Sequence, residues 1–221
     1  MHREERLVRI TSGPVILEGN LTVPESAGGV VLFAHGSGSS RFSSRNKYVA
    51  GVLNRAQLAT LLVDLLTADE EAVDQQARHL RFDVGLLSTR LLAAAAWVAQ
   101  NPATEPLRIG YFGASTGAAA AHIAAVERPE LVEAIVSRGG RPDLAGNVVL
   151  AAVQAPTLLI IGEADTPVLE LNRVAFDRLR CPKRLVIVPG ATHLFEEPGA
   201  LDQVAQVARE WFEIHLLPPS V

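Results

Sequence analysis

Tyr111-Phe112-Gly113-Ala114-Ser115-Thr116-Gly117, followed by Ala-Ala-Ala-Ala-His-Ile-Ala-Ala-Val, is the stretch that decides how this chain is read. Residues 107–112 form a short apolar run, which predicts a buried strand. The alanine-rich segment to Glu127 predicts a helix, stopped by Pro129. Between them lies Gly-x-Ser-x-Gly, where a strand turns sharply into a helix. Such a turn forces its serine into a strained backbone conformation and lifts the hydroxyl above the sheet edge. The helix N-terminus beneath it offers free N–H groups to a developing oxyanion. Read without chemistry, the same pentapeptide is a tight turn in which Ser115 caps a helix.

Outward from this turn, apolar runs alternate with helical patterns. Residues 5–11 and 15–23 are two strand patterns separated by Ser12-Gly13-Pro14, a hairpin of mixed polarity suited to a sheet edge. Residues 28–34 are continuously apolar, as in a strand buried on both faces. Residues 47–57 predict a helix and 58–66 a strand. Residues 67–83 are charged and predict a solvated loop with a short helix at a pocket rim. Leu86, Leu87, Leu91, Ala94, Ala95 and Val98 mark another helix. Strands follow at 131–137, 157–161 and 185–188. Thr166 reads as an N-cap with Pro167 at the first helical position, and an apolar stripe from Leu201 to His215 closes the chain. This alternation predicts one α/β domain over residues 1–221, with about eight strands in a mostly parallel sheet and helices on both faces.

Ser115, Asp165 and His193 each follow a predicted strand, so all three fall at one edge of a parallel sheet. Serine, then acid, then histidine is the chain order of an α/β-hydrolase triad. A serine hydroxyl alone is a poor nucleophile. A histidine can take its proton, and an acid can hold that imidazole in one tautomer. Glu163 is the nearest rival acid, and each partner also has a plain reading as a loop residue. The loop His35-Gly36-Ser37-Gly38-Ser39-Ser40 ends a central strand, where an open sheet keeps its site. Its backbone can approach substrate at Gly36. Ser37 N–H and Thr116 N–H are the expected oxyanion donors. His35 reads as a brace for this loop. Asp64 reads as a loop anchor. Arg138 is expected to face the pocket and bind a substrate carboxylate, with Arg78, Arg81 and Arg141 as weaker candidates.

The chain resembles the α/β-hydrolase superfamily over nearly its full length, and within it the dienelactone-hydrolase-like branch. The matching stretches are Phe-Ala-His-Gly-Ser-Gly-Ser-Ser (33–40), Gly-Tyr-Phe-Gly-Ala-Ser-Thr-Gly (110–117), Gly-Glu-Ala-Asp (162–165) and Gly-Ala-Thr-His-Leu-Phe (190–195). The resemblance implies Ser115 as nucleophile, Asp165 as acid, His193 as base, and the N–H groups of Ser37 and Thr116 as the oxyanion hole. Dienelactone hydrolases proper carry a cysteine at the nucleophile position, where this chain has Ser115. A carboxylesterase acting on small or activated esters is therefore expected. Lactone or thioester hydrolysis, acyl transfer and a non-catalytic binding domain are the alternatives. Residues 138–156 leave room for a short helix and no large cap domain.

The chain has 221 residues, 48% hydrophobic, and a formal net charge of −4. That balance gives no footprint for nucleic acid or an anionic membrane. The single cysteine, Cys181, excludes an intrachain disulfide. No run approaches the ~18 apolar residues of a membrane span, and the N-terminal stretch lacks the apolar core of a signal peptide. A cytoplasmic protein is expected, with no cofactor and no metal, since no His/Cys/Asp cluster has ligand spacing. The pattern specifies no oligomer.

Overall fold

A computed structural model describes residues 5–36 and 38–218. Its strands are β1 (Glu5–Ser12), β2 (Val15–Thr22), β3 (Gly29–Ala34), β4 (Leu58–Val63), β5 (Arg108–Ala114), β6 (Ala134–Arg138), β7 (Thr157–Gly162) and β8 (Lys183–Val188). Its α-helices are α1 (Ser44–Arg55), α2 (Ala68–Ala77), α3 (Val84–Val98), α4 (Thr116–Glu127), α5 (Asn147–Ala152), α6 (Thr166–Arg178) and α7 (Ala200–Leu216). The strands form one sheet in the order β1-β2-β4-β3-β5-β6-β7-β8. β1 pairs antiparallel with β2, and β2 antiparallel with β4; β4 through β8 run parallel.

Period-2 alternation divides the core. Val30, Leu32, Tyr111, Ile135 and Leu159 face one side, packed on α3 to α6. Val31, Phe33, Phe112, Val136 and Leu158 face the other, against α1 and α7. Buried on both faces, the central strands read as unbroken apolar runs rather than alternating ones.

The chain leaves β3 toward β4 on one side and reaches β5 on the other. The carboxyl ends of β3 and β5 are therefore the point where strand order reverses, the usual ligand crevice of an open parallel sheet. Residues 35–36 and Ser115 lie there. A 3-10 turn at Pro142–Ala145 and the short α5 stand where a cap would insert, so no large cap covers this edge.

Some boundaries differ from expectation. β6 begins at Ala134 because Pro129–Leu131 turns into a 3-10 helix first. α2 is a full helix, closed by a capping box between Thr67 and Glu70. α6 has Asp165 at the N-cap and Thr166 at the first helical position, one residue earlier than expected. The Asp165 carboxylate makes no cap hydrogen bond, for a reason given below.

α4 is buried nearly all round, and its alanines allow close packing on the sheet. His122 lies fully inside it. Its Nδ1 donates to Ala118 O at 2.6 Å, and Nε2 has no partner among the described residues. Burial pushes the imidazole pKa down to about 4. An unfolded histidine titrates near ~6.5. The folded pKa is thus depressed, so the stability it confers is whole above ~6.5 and is lost as pH falls toward 4, on the order of 3 kcal/mol. Urea midpoints at pH 7.5 and 4.5 test this. Wild type should lose most of that stability and His122→Gln little; equal losses would refute it.

Candidate active site

Ser115 occupies the turn between β5 and α4 with φ 49° and ψ −122°, a conformation that costs a non-glycine residue of order 1–3 kcal/mol. The surrounding packing enforces it. A Cβ on Gly117 would lie 2.1 Å from Ala34 O, and one on Gly113 2.5 Å from Ala118 Cα. Only glycine lets β3, β5 and α4 meet this closely. Ser115 O accepts from Ala118 N–H at 3.1 Å and from Arg141 N–H at 3.0 Å, tying the turn to the loop after β6. Ser115 is partly exposed while its neighbours from 109 to 122 are buried.

Asp165 and His193 meet through the loops after β7 and β8. His193 Nδ1 lies 2.6 Å from Asp165 Oδ2. The side chain of Asp165 is 12% exposed and that of His193 40%. This contact is why Asp165 does not cap α6. The two loops are clamped together: Ala164 N–H donates to Ala191 O at 2.9 Å, and a Cβ on Gly162 would lie 2.2 Å from Ala191 O. An ionised Asp165 accepts the Nδ1 proton, which leaves Nε2 with a lone pair. Glu163, the rival acid, instead accepts from Gly190 N–H at 2.9 Å.

The histidine loop also reaches toward the serine. Ala114 is in register with Arg138, so Gly139, just past the end of β6, follows on beside Ser115. A Cβ on Gly139 would lie 3.5 Å from His193 Cε1. Ser115 Oγ makes no hydrogen bond among the described residues. Catalytic hydrogen bonds of this kind often close only when substrate is bound.

On the other side of Ser115, a Cβ on Gly36 would lie 2.8 Å from Ser115 Cβ. His35 holds this loop: its Nδ1 donates to Gly36 O at 3.0 Å, and its Nε2 accepts from Leu65 N–H at 3.2 Å. Thr116 opens α4, is 2% exposed, and its Oγ1 has no partner among the described residues. Ser37, the other expected oxyanion donor, lies outside the described residues.

Arg138 departs from expectation. It continues the Ala134 and Val136 face of β6, so its side chain goes to the α1 side of the sheet. There it is 7% exposed, donates from Nη2 to Asn46 Oδ1 at 3.3 Å, and stands 5.8 Å over the Phe195 ring. Burial, with repulsion from Arg45, lowers its pKa to about 10. It is absent from the lining of the two cavities at this edge, and its buried place under the histidine loop lends the expected carboxylate-binding role no support. Arg141 forms a two-pronged pair with Asp143, and Arg81 pairs with Asp74. Arg78 ends α2 in the left-handed region, exposed. Asp64 is a loop anchor, accepting from Arg41 N–H at 2.6 Å.

Sequence reasoning missed the wall on the β2 side. Glu18, Arg41, Asp64 and Glu71 line one cavity of about 630 Å³. The charged stretch 67–83, read as a pocket rim, and Asp64 at a strand's carboxyl end were the parts of it that the sequence signalled, whereas Glu18 and Arg41 carried no signal. Among the described residues, no group of three or more His, Cys, Asp or Glu is placed to hold a metal ion, and no helix is long and apolar enough to cross a membrane.

Known proteins resemble this chain in sequence and in fold. The model of the dienelactone hydrolase family matches residues 21–214. A crystal structure of a dienelactone hydrolase from Anabaena variabilis is 59% identical, covers 97% of this chain and 99% of its own, and superposes with a TM-score of 0.95. A Mycobacterium tuberculosis H37Rv protein with the provisional name of a phosphoribosyl transferase is 55% identical over 213 residues, 96% of this chain and 47% of that protein. The chain thus spans about half the length of the curated relatives it matches. Est1E from Butyrivibrio proteoclasticus, 16% identical with a TM-score of 0.79 over 93% of this chain and 97% of its own, shares the fold. With a match over most of its length, the chain belongs to the dienelactone hydrolase family, on the α/β-hydrolase fold.

Proposed function

We propose that the chain is a serine-dependent hydrolase of small carboxylic esters, working through an acyl-enzyme. The observation that supports this best is the 2.6 Å Asp165–His193 contact at the sheet edge that holds the strained Ser115. In the first half-reaction, Ser115 Oγ bonds to the carbonyl carbon while His193 Nε2 takes the hydroxyl proton. Collapse of the tetrahedral intermediate breaks the ester C–O bond, and His193 returns that proton to the departing alkoxide. Water then repeats the sequence on the acyl-serine and releases the acid. Asp165 fixes the tautomer and stabilises the imidazolium throughout. The oxyanion is held by the Thr116 N–H, with Ser37 N–H as the second donor, each worth roughly 3–4 kcal/mol.

A pre-steady-state experiment with p-nitrophenyl acetate tests the scheme. The expected result is a burst of p-nitrophenol matching the enzyme concentration, with part of the acyl group diverted to added methanol. Turnover with no acyl-enzyme trapped by methanol or acid quench would contradict it, and no turnover of any short acyl ester would favour a binding domain. Lactone hydrolysis is the second reading. The name of the Anabaena relative supports it, and the same acyl-enzyme logic would open a ring ester.

A further inference from the structure

The cavity of about 630 Å³ opens between β2 and the loops after β3 and β4. A smaller cavity shares His35, Gly38, Leu66 and Glu71 with it and extends to Gly36 and Thr116, at the serine. Thr116, almost wholly buried and with a hydroxyl unpartnered among the described residues, borders the smaller cavity. The smaller cavity holds only about 10 Å³, so the two share a wall rather than a channel, and the large cavity stands beside the serine turn.

Charge in that cavity is one-sided. Glu18, Asp64 and Glu71 line it, against the single guanidinium of Arg41. Arg41 is already engaged, with Nη2 2.6 Å from Glu18 Oε2 and Nη1 on Asp64. At the junction, Arg81 donates through Nε and Nη2 to Asp74. The acids of α2 differ in the same way. Glu70 closes the capping box and pairs with Arg90, and Asp74 holds Arg81. Glu71 is half-buried, lines both cavities, and makes no side-chain hydrogen bond or ion pair among the described residues. Its place in the first turn of α2 favours a negative charge, but does not require it to border two cavities.

We propose that this cavity is the subsite for a cationic group on the ester, an alkylammonium, with Glu71 as its anionic contact. The proposal rests on the ester-hydrolase reading above. Esters bearing a carboxylate or phosphate would meet the same wall as a repulsion, which reverses the selectivity expected of an arginine-lined pocket.

The test compares butyrylcholine, its uncharged isostere 3,3-dimethylbutyl butyrate, and a monosuccinate ester of 3,3-dimethylbutanol at low ionic strength. The expected kcat/KM for the choline ester is about ten-fold above the isostere, with the succinate lowest; in Glu71→Gln the choline-to-isostere ratio falls toward one. Calorimetry gives a readout without turnover: choline should bind about ten-fold tighter than 3,3-dimethylbutanol to wild type but not to Glu71→Gln. A thermal melt of Glu71→Gln matching wild type shows that the variant folds. Equal or faster cleavage of the isostere, or a choline preference that survives Glu71→Gln, overturns the cationic subsite while leaving ester hydrolysis standing. Cleavage of none of these esters, nor of p-nitrophenyl butyrate, overturns the hydrolase reading and the subsite with it.

Discussion

Ser115→Ala is expected to lower kcat for p-nitrophenyl butyrate by about 10⁴–10⁶-fold, with the fold unchanged. The alanine keeps a Cβ, so the φ of 49° is no more strained than before and the glycine contacts around it are untouched. What is lost is the one protein atom that the proposed chemistry bonds to carbon. The residual rate would come from the oxyanion donors and substrate binding. A companion variant separates strain from chemistry. Ser115→Gly removes the Cβ from a region that side chains rarely adopt, so it should be equally inactive yet more stable, by up to about 1 kcal/mol after its larger unfolded-state entropy is counted. Denaturant midpoints measure the difference. A Ser115→Gly protein that is markedly less stable than Ser115→Ala would mean that the turn is not strained.

Asp165→Asn should cost about 10³–10⁴-fold in kcat with little change in stability. The exchange keeps size and hydrogen-bonding capacity but reverses the donor. An amide N–H facing His193 Nδ1 selects the tautomer with its proton on Nε2, and that nitrogen can no longer accept from Ser115. The 2.6 Å contact would survive in altered form, so a crystal structure of the variant should look nearly unchanged while turnover collapses. Glu163→Gln is the matched control. Glu163 is exposed and, among the described residues, accepts only from the Gly190 backbone, so this variant should keep activity within about two-fold of wild type. Comparable losses in both variants would remove the distinction between the two acids.

The part of this molecule most legible in sequence is the part whose causes are local. Gly113, Ser115 and Gly117 announce a strand-to-helix turn because only glycine tolerates contacts of 2.1–2.5 Å to a neighbouring strand and helix. The buried strands were legible because both faces of the parallel sheet are covered, which leaves continuous apolar runs such as residues 30–34. Thr166 looked like an N-cap because threonine followed by proline usually is one. The cap fell to Asp165, whose carboxylate is held by a histidine 28 residues away, and local pattern reading has no access to such a partner.

Arg138 shows the same limit. Its place at the end of a strand was readable, but the face it takes depends on strand parity relative to α1 and α7. The strand begins at Ala134 rather than at 131, and a buried arginine beside Asn46 and Phe195 has no local signature. The large cavity was legible only at its α2 rim, the charged stretch 67–83, and at Asp64. Its walls come from β2, the loop after β3, the end of β4 and the start of α2, which are brought together only because β2 pairs with β4.

The central claim is that Ser115 is the nucleophile, activated by the Asp165–His193 pair. A fluorophosphonate probe reports on that directly, because it phosphonylates a serine only when a neighbouring base activates it. After incubation with the probe, intact mass and peptide mapping should show one adduct, on Ser115, in the wild type; Asp165→Asn should label much more slowly, and Ser115→Ala not at all. An adduct on another residue, or labelling of Ser115→Ala at the wild-type rate, would contradict the account.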